Sequence, residues 1–162
     1  MKTILAGLLV YSMFVLTACP SGQTLQKAQD ASAKVATYAN SGINLTRELY
    51  RSNYLSLENK DRIADGFIAL AKAGQAFDAA VANAKAAYGD TAPKDAIAAL
   101  FATFNQEVVG KFIAVLQSLK LASVVSGNFA ATIELLKTAI LVVAKAFGKG
   151  GSVQAVIVEA GG

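Results

Sequence analysis

Histidine and tryptophan are absent from this 162-residue chain, and cysteine occurs once, as Cys19. Without imidazole, and with a single thiol, no Ser-His or Cys-His nucleophile pair can be assembled. Metal sites built on imidazole or thiolate are excluded for the same reason. A site made of carboxylates alone would need several acids turned inward. The densest group, Glu58, Asp61 and Asp65, is interleaved with Lys60 and Arg62, the pattern of a solvated first helical turn. Phosphate loops are missing too. Gly148-Lys149-Gly150-Gly151 reads as lacking both the preceding strand and the following helix that such a loop requires. These absences predict a protein that is not an enzyme and uses no cofactor or metal.

The charge pattern narrows the partners. The net charge is +4, and acidic and basic residues alternate along the chain. No basic run flanked by stacking aromatics is present, which argues against a nucleic-acid partner. Lys137, Lys145 and Lys149 give the last strongly apolar segment a basic end. Such residues complement a helix C-terminus, and contact with anionic lipid is the competing use. Asn44-Leu45-Thr46 matches a glycosylation acceptor by chance, in the middle of a helical pattern.

What is present begins at the N-terminus. Lys2 is followed by an apolar stretch, Thr3 to Leu16, too short to span a bilayer comfortably. It runs into Leu16-Thr17-Ala18-Cys19, where two small residues precede the only cysteine. This stretch closely resembles the lipobox of bacterial lipoproteins. The resemblance covers residues 1 to 19 and implies a diacylglyceryl group on the Cys19 thiol. It also implies signal-peptide cleavage between Ala18 and Cys19. In many Gram-negative species, acylation of the new α-amino group follows. Palmitate-type chains would then hold the protein on a membrane of the cell envelope. Position 20 is Pro rather than the Asp that retains lipoproteins in the enteric inner membrane. That favours the periplasmic side of the outer membrane where one exists.

Cleavage would remove eighteen of the 162 residues and leave 144, enough for one domain with a real core. It would also remove Lys2 and take the net charge from +4 to +3. With its one thiol acylated, the mature chain could form no disulfide, so packing must stabilise it. Residues 19 to 24 read as a short acylated tether that keeps the body close to the headgroups.

Residues 25 to 147 carry four amphipathic patterns. The first runs from about Thr24 to Arg51, with Leu25, Ala28, Ser32, Val35, Ala39, Gly42, Thr46 and Leu49 at steps of three and four. Its many small residues let a partner helix approach closely. The second runs from Leu57 to Tyr88, capped by Ser56, supported by a Glu58–Arg62 pair and ended by Gly89-Asp90. The third opens at Thr91-Ala92-Pro93 and carries Ile97, Phe101, Phe104, Val108, Phe112, Val115 and Leu119. A break near Ser123 to Gly127 separates it from the fourth, which carries Phe129, Ile133, Leu136, Ile140, Val143 and Phe147. Four such segments with short connections predict an all-α fold, an antiparallel four-helix bundle. The fourth helix is the most apolar; it is either central or offers a surplus apolar face to a partner.

Residues 148 to 162 change character. Ser152 to Glu159 is rich in β-branched residues and bracketed by glycine. The stretch reads as a flexible tail on the bundle or as a strand added to a partner's sheet edge. Arg47, Tyr50, Arg51 and Tyr54 close the first helical hairpin. They combine two residue types enriched at binding hot spots, although basic residues also suit a helix end.

Three functions fit these features. One is a membrane-anchored, non-catalytic structural or interaction module of the envelope, with a protein partner. Another is a carrier or sensor holding an apolar ligand among Phe67, Phe77, Phe101, Phe104, Phe112, Phe129 and Phe147, which serve equally as core. The third is an immunity or exclusion lipoprotein that blocks an envelope target.

Overall fold

A computed structural model describes residues 21–89, 91–122 and 129–161. These residues form five helices and no strand: α1 (Ser21–Arg51), α2 (Leu57–Tyr88), α3 (Lys94–Leu121), α4 (Ala130–Ala146) and α5 (Gly150–Glu159). The Leu16-Thr17-Ala18-Cys19 stretch, Asp90 and the Ser123–Gly127 break lie outside the described residues.

Helices α1 and α2 form an antiparallel pair. Contacts climb one helix as they descend the other. Gly42 meets Phe67, Val35 and Ala36 meet Gly74, Ser32 meets Asp78, and Gln26 meets Lys85. Small residues make this seam narrow. A Cβ added at Gly74 would stand 3.2 Å from the Ala36 backbone nitrogen and 3.3 Å from Val35 Cγ1. Thr46, fully buried, donates its hydroxyl to the Gly42 carbonyl at 2.7 Å, so the seam leaves no unpaired polar group there.

Helix α3 packs on α2, with Val115 beside Gly66, and α4 packs on α1. The central pair is therefore α1 and α2, not α4. Helix α4 instead turns Leu135 and Val142 to solvent as a surplus apolar face. Large aromatics fill the wider space between α2, α3 and α4. Phe77 lies 5.1 Å from Phe104 and 6.3 Å from Phe147, ring to ring. Phe101 lies 5.9 Å from Phe147. At the other end, Phe67 stacks on Phe129 at 6.0 Å. Glycine and alanine thus line the close seam, and phenylalanine wedges the open one.

Helix α3 is not α-helical throughout. Residues Phe104–Val109 form a π turn between Lys94–Thr103 and Gly110–Leu121. The apolar stripe explains it. Phe104, Val108 and Phe112 are separated by two successive steps of four, which in a regular α-helix would drift off the buried face. A π turn, closed one residue later than an α turn, absorbs that drift. Phe104, Val108, Val109 and Phe112 are all buried as a result. Among the described residues α3 is the one helix long and apolar enough to cross a membrane by length and composition. Its Phe/Val stripe is turned into the core.

Two expectations are corrected. Helix α1 begins at Ser21, so most of the supposed tether over residues 19 to 24 is helix, two residues after Cys19. The stretch read as a tail or strand is helix α5, docked against α4 and the π turn. Gly150, Val153 and Ile157 are buried at helical steps of three and four, and among the described residues no strand offers Val153 a ladder. Gly148-Lys149-Gly150-Gly151 therefore does run into a helix, whose first residues are Gly150 and Gly151. A helix rather than a strand leads into it, so the phosphate-loop arrangement is still not met.

Candidate interaction surface at the hairpin tip

The turn joining α1 to α2 is built by backbone chemistry. Tyr54 N–H donates to the Leu49 carbonyl at 2.9 Å, and Asn53 N–H to the Tyr50 carbonyl at 3.0 Å. Asn53 sits at φ +61°. This is a Schellman ending, with asparagine taking the left-handed position that glycine usually fills. Leu49, Leu55 and Ile63 are buried beneath it. Ser56 then starts α2, its hydroxyl oxygen accepting from Asn59 N–H at 3.2 Å.

With the backbone so satisfied, the side chains above it are free. Tyr54 is 73% exposed, Leu57 56% and Tyr50 38%, and Arg47 and Arg51 are exposed beside them. The hairpin therefore brings Arg47, Tyr50, Arg51 and Tyr54 to one end of the molecule. Lys60, from the first turn of α2, joins them. Its ammonium stands 5.1 Å from the centre of the Tyr50 ring and 2.7 Å from Asp61 Oδ1. Residue type alone does not place Leu57 and Lys60 in this group; their position within one helical turn of the Ser56 cap is the available signal. The expected Glu58–Arg62 pair is not among the ion pairs of the described residues. Arg62 donates instead to Asn59 Oδ1.

Glu58 and Asp61 border this tip, and the other candidates sit apart from it. Glu58, Asp61 and Asp65 are exposed, and no group of three or more His, Cys, Asp or Glu among the described residues is placed to hold a metal. Lys137 lies 3.6 Å from Glu134 on α4. Lys145 belongs to the last turn of α4. Lys149 N–H and Gly148 N–H close a second Schellman ending, on the carbonyls of Ala144 and Lys145 at 2.8 and 2.9 Å. Phe67, Phe77, Phe104, Phe112 and Phe129 are all fully buried, and Phe101 and Phe147 pack against them.

Cys19, Ala18 and the cleavage position lie outside the described residues. No known protein family, no curated protein and no solved structure matches this chain.

Proposed function

We propose that this protein is a lipid-anchored, non-catalytic interaction module of the bacterial cell envelope. The observation that carries the reading is positional. The lipobox-like Leu16-Thr17-Ala18-Cys19 ends two residues before a 31-residue helix. In this reading the signal peptide is removed before Cys19, and acyl chains on Cys19 hold the body. Burial of acyl chains stabilises membrane binding by about 0.8 kcal/mol per methylene, so two or three chains make release negligible. The body is an antiparallel bundle of α1 to α4 with α5 as an added short helix.

The anchor and the tip then have opposite places. Helix α1 starts beside the acylated residue and ends at Tyr50 and Arg51. At 1.5 Å per residue, its 31 residues span about 46 Å. The hairpin tip is the far end of the same helix, and its partner is an envelope protein rather than the anchoring lipid. Tyrosine and arginine are among the side chains enriched at the few hot spots that dominate binding energy at protein interfaces. Confinement to a membrane raises the effective concentration of such a module near partners on the same surface.

The test is mass spectrometry of the protein recovered from a bacterial host, beside Cys19→Ser. An N-terminal cysteine carrying acyl chains in the wild type, absent in the variant, is expected. An unmodified or uncleaved wild-type chain overturns the anchor. Photocrosslinking from position 54 in the same membranes addresses the tip separately, and the absence of any protein adduct there overturns its role.

A further inference from the structure

In helix α5 the sequence and the adopted conformation agree least. Six of its ten residues are glycine or β-branched: Gly150, Gly151, Val153, Val156, Ile157 and Val158. These are poor helix formers, and ten residues are too few to hold a helix in isolation. Its ends add no support. No side chain caps it at Lys149, its first turn has no acid and its last turn has no base. Lys149 at the start and Glu159 at the end both oppose the helix dipole.

Burial is what holds α5. Val153 and Ile157 are essentially inaccessible, packed where α5 meets α4 and the π turn. The opposite side is wet: Val156 is 43% exposed and Val158 55%. Glycines at positive φ bracket the helix, Gly148 at +70° and Gly161 at +93°. The rest of the core does not depend on it in the same way. The α1–α2 seam and the Phe67–Phe129 stack are closed by other helices.

We propose that α5 is a latch. It opens as one unit about Gly148 while α1 to α4 stay folded. Opening uncovers the apolar strip of α4 and the π turn that Val153 and Ile157 cover, next to Phe104 and Phe147. The pivot is the Schellman ending of α4: turning about Gly148 gives up the Lys149 N–H bond to the Ala144 carbonyl, while Gly148 N–H keeps its bond to the Lys145 carbonyl. This inference rests on the packing of α5 and not on the anchor.

Native-state hydrogen exchange on the purified full chain tests it, read peptide by peptide. In the wild type, α5 amides are expected to exchange at least tenfold faster than the buried turns of α1 and α2. Gly151→Ala is expected to slow α5 exchange about fivefold, because alanine favours a helix over glycine by about 1 kcal/mol. A Cβ at Gly151 meets nothing within 4 Å, so the change is local. Ile157→Ala is expected to speed α5 exchange at least tenfold and to leave α1 and α2 unchanged. Exchange of α5 at the rate of α1 and α2 in the wild type overturns the latch. So does an Ile157→Ala effect that spreads equally through all helices. Should Ile157→Ala fail to fold, the wild type and Gly151→Ala decide.

Discussion

The ring of Phe67 lies directly over Gly42, so that a Cβ built on Gly42 would stand 2.6 Å from Cδ1 and Cζ of that ring. Two opposing effects therefore act at this glycine. Alanine would improve helix propensity by about 1 kcal/mol. It would also push a fully buried aromatic ring that already stacks on Phe129. Overpacking of a close-packed core costs about 1–3 kcal/mol.

Gly42→Ala is accordingly expected to lower stability by up to about 2 kcal/mol net of the propensity gain. Gly110→Ala is the control. It sits at the junction with the π turn, and a Cβ there meets nothing within 4 Å. It is expected to raise stability by about 0.5–1 kcal/mol. Urea unfolding of the two variants beside the wild type checks the pair. The same sign for both would remove the steric account of the α1–α2 seam.

Phe77 is the aromatic that ties three helices together, through Phe104 on α3 and Phe147 after α4. Phe77→Ala is expected to cost about 3–5 kcal/mol, the range for deleting a buried phenylalanine. Phe101→Ala is expected to cost less, because Phe101 is only partly buried. Thermal unfolding followed by circular dichroism ranks the two. A Phe101→Ala variant less stable than Phe77→Ala would contradict the packing described.

The limits of α2 follow from local chemistry that the sequence states openly. Ser56 is a side-chain cap, and Gly89 accepts φ +56° at the other end. The apolar stripes of all four long helices were readable for the same reason: burial repeats with the helical period. The π turn was written in the two steps of four from Phe104 to Phe112, but its meaning appears only when both sides of the stripe must reach one core. Residues 150–159 read locally as tail or strand because valine and isoleucine favour strands, while the spacing of Gly150, Val153 and Ile157 suits a helix. Docking decided between them. At the tip, the residue types pointed to Arg47, Tyr50, Arg51 and Tyr54. Their exposure depended on Asn53 adopting the left-handed conformation, which no periodicity reveals.

Buried Ser32 places its hydroxyl 2.8 Å from Asp78 Oδ1 on α2 and 2.9 Å from the Gln29 carbonyl on its own helix. One proton serves two acceptors, and the link to Asp78 fixes the register of the seam. Ser32→Ala is expected to cost about 1 kcal/mol. Asp78→Ala in the Ser32→Ala background is expected to cost less than in the wild type. A double-mutant cycle in urea gives the coupling directly, and zero coupling would show that the contact contributes nothing.

The turn itself makes a further prediction. Ser56→Ala removes the cap on α2 and is expected to cost about 1 kcal/mol. Asn53→Val forces a β-branched residue to φ +61° and is expected to cost about 1–2 kcal/mol. Asn53→Gly should be nearly neutral, since glycine is the usual occupant of that position. The ordering glycine, asparagine, valine in falling stability is the diagnostic result. Valine tolerated as well as glycine would exclude the left-handed turn.

Stability and binding should separate at the tip. Arg47 and Tyr54 are exposed, and neither lies in the core beneath Leu49 and Leu55. Substitutions at such positions change stability by no more than about 0.5 kcal/mol each. The double variant Arg47→Ala, Tyr54→Ala is therefore expected to unfold with the wild type and to fractionate with membranes as the wild type does. Photocrosslinks placed at position 50 should nonetheless be lost in it, because truncating hot-spot residues costs binding about 2 kcal/mol or more each. Cys19→Ser should do the reverse, keeping the tip intact while removing the acyl anchor. Adducts at position 50 that survive the double variant undiminished would mean that the partner is held elsewhere on the bundle. The surplus face of α4 at Leu135 and Val142 would then be the next surface to substitute.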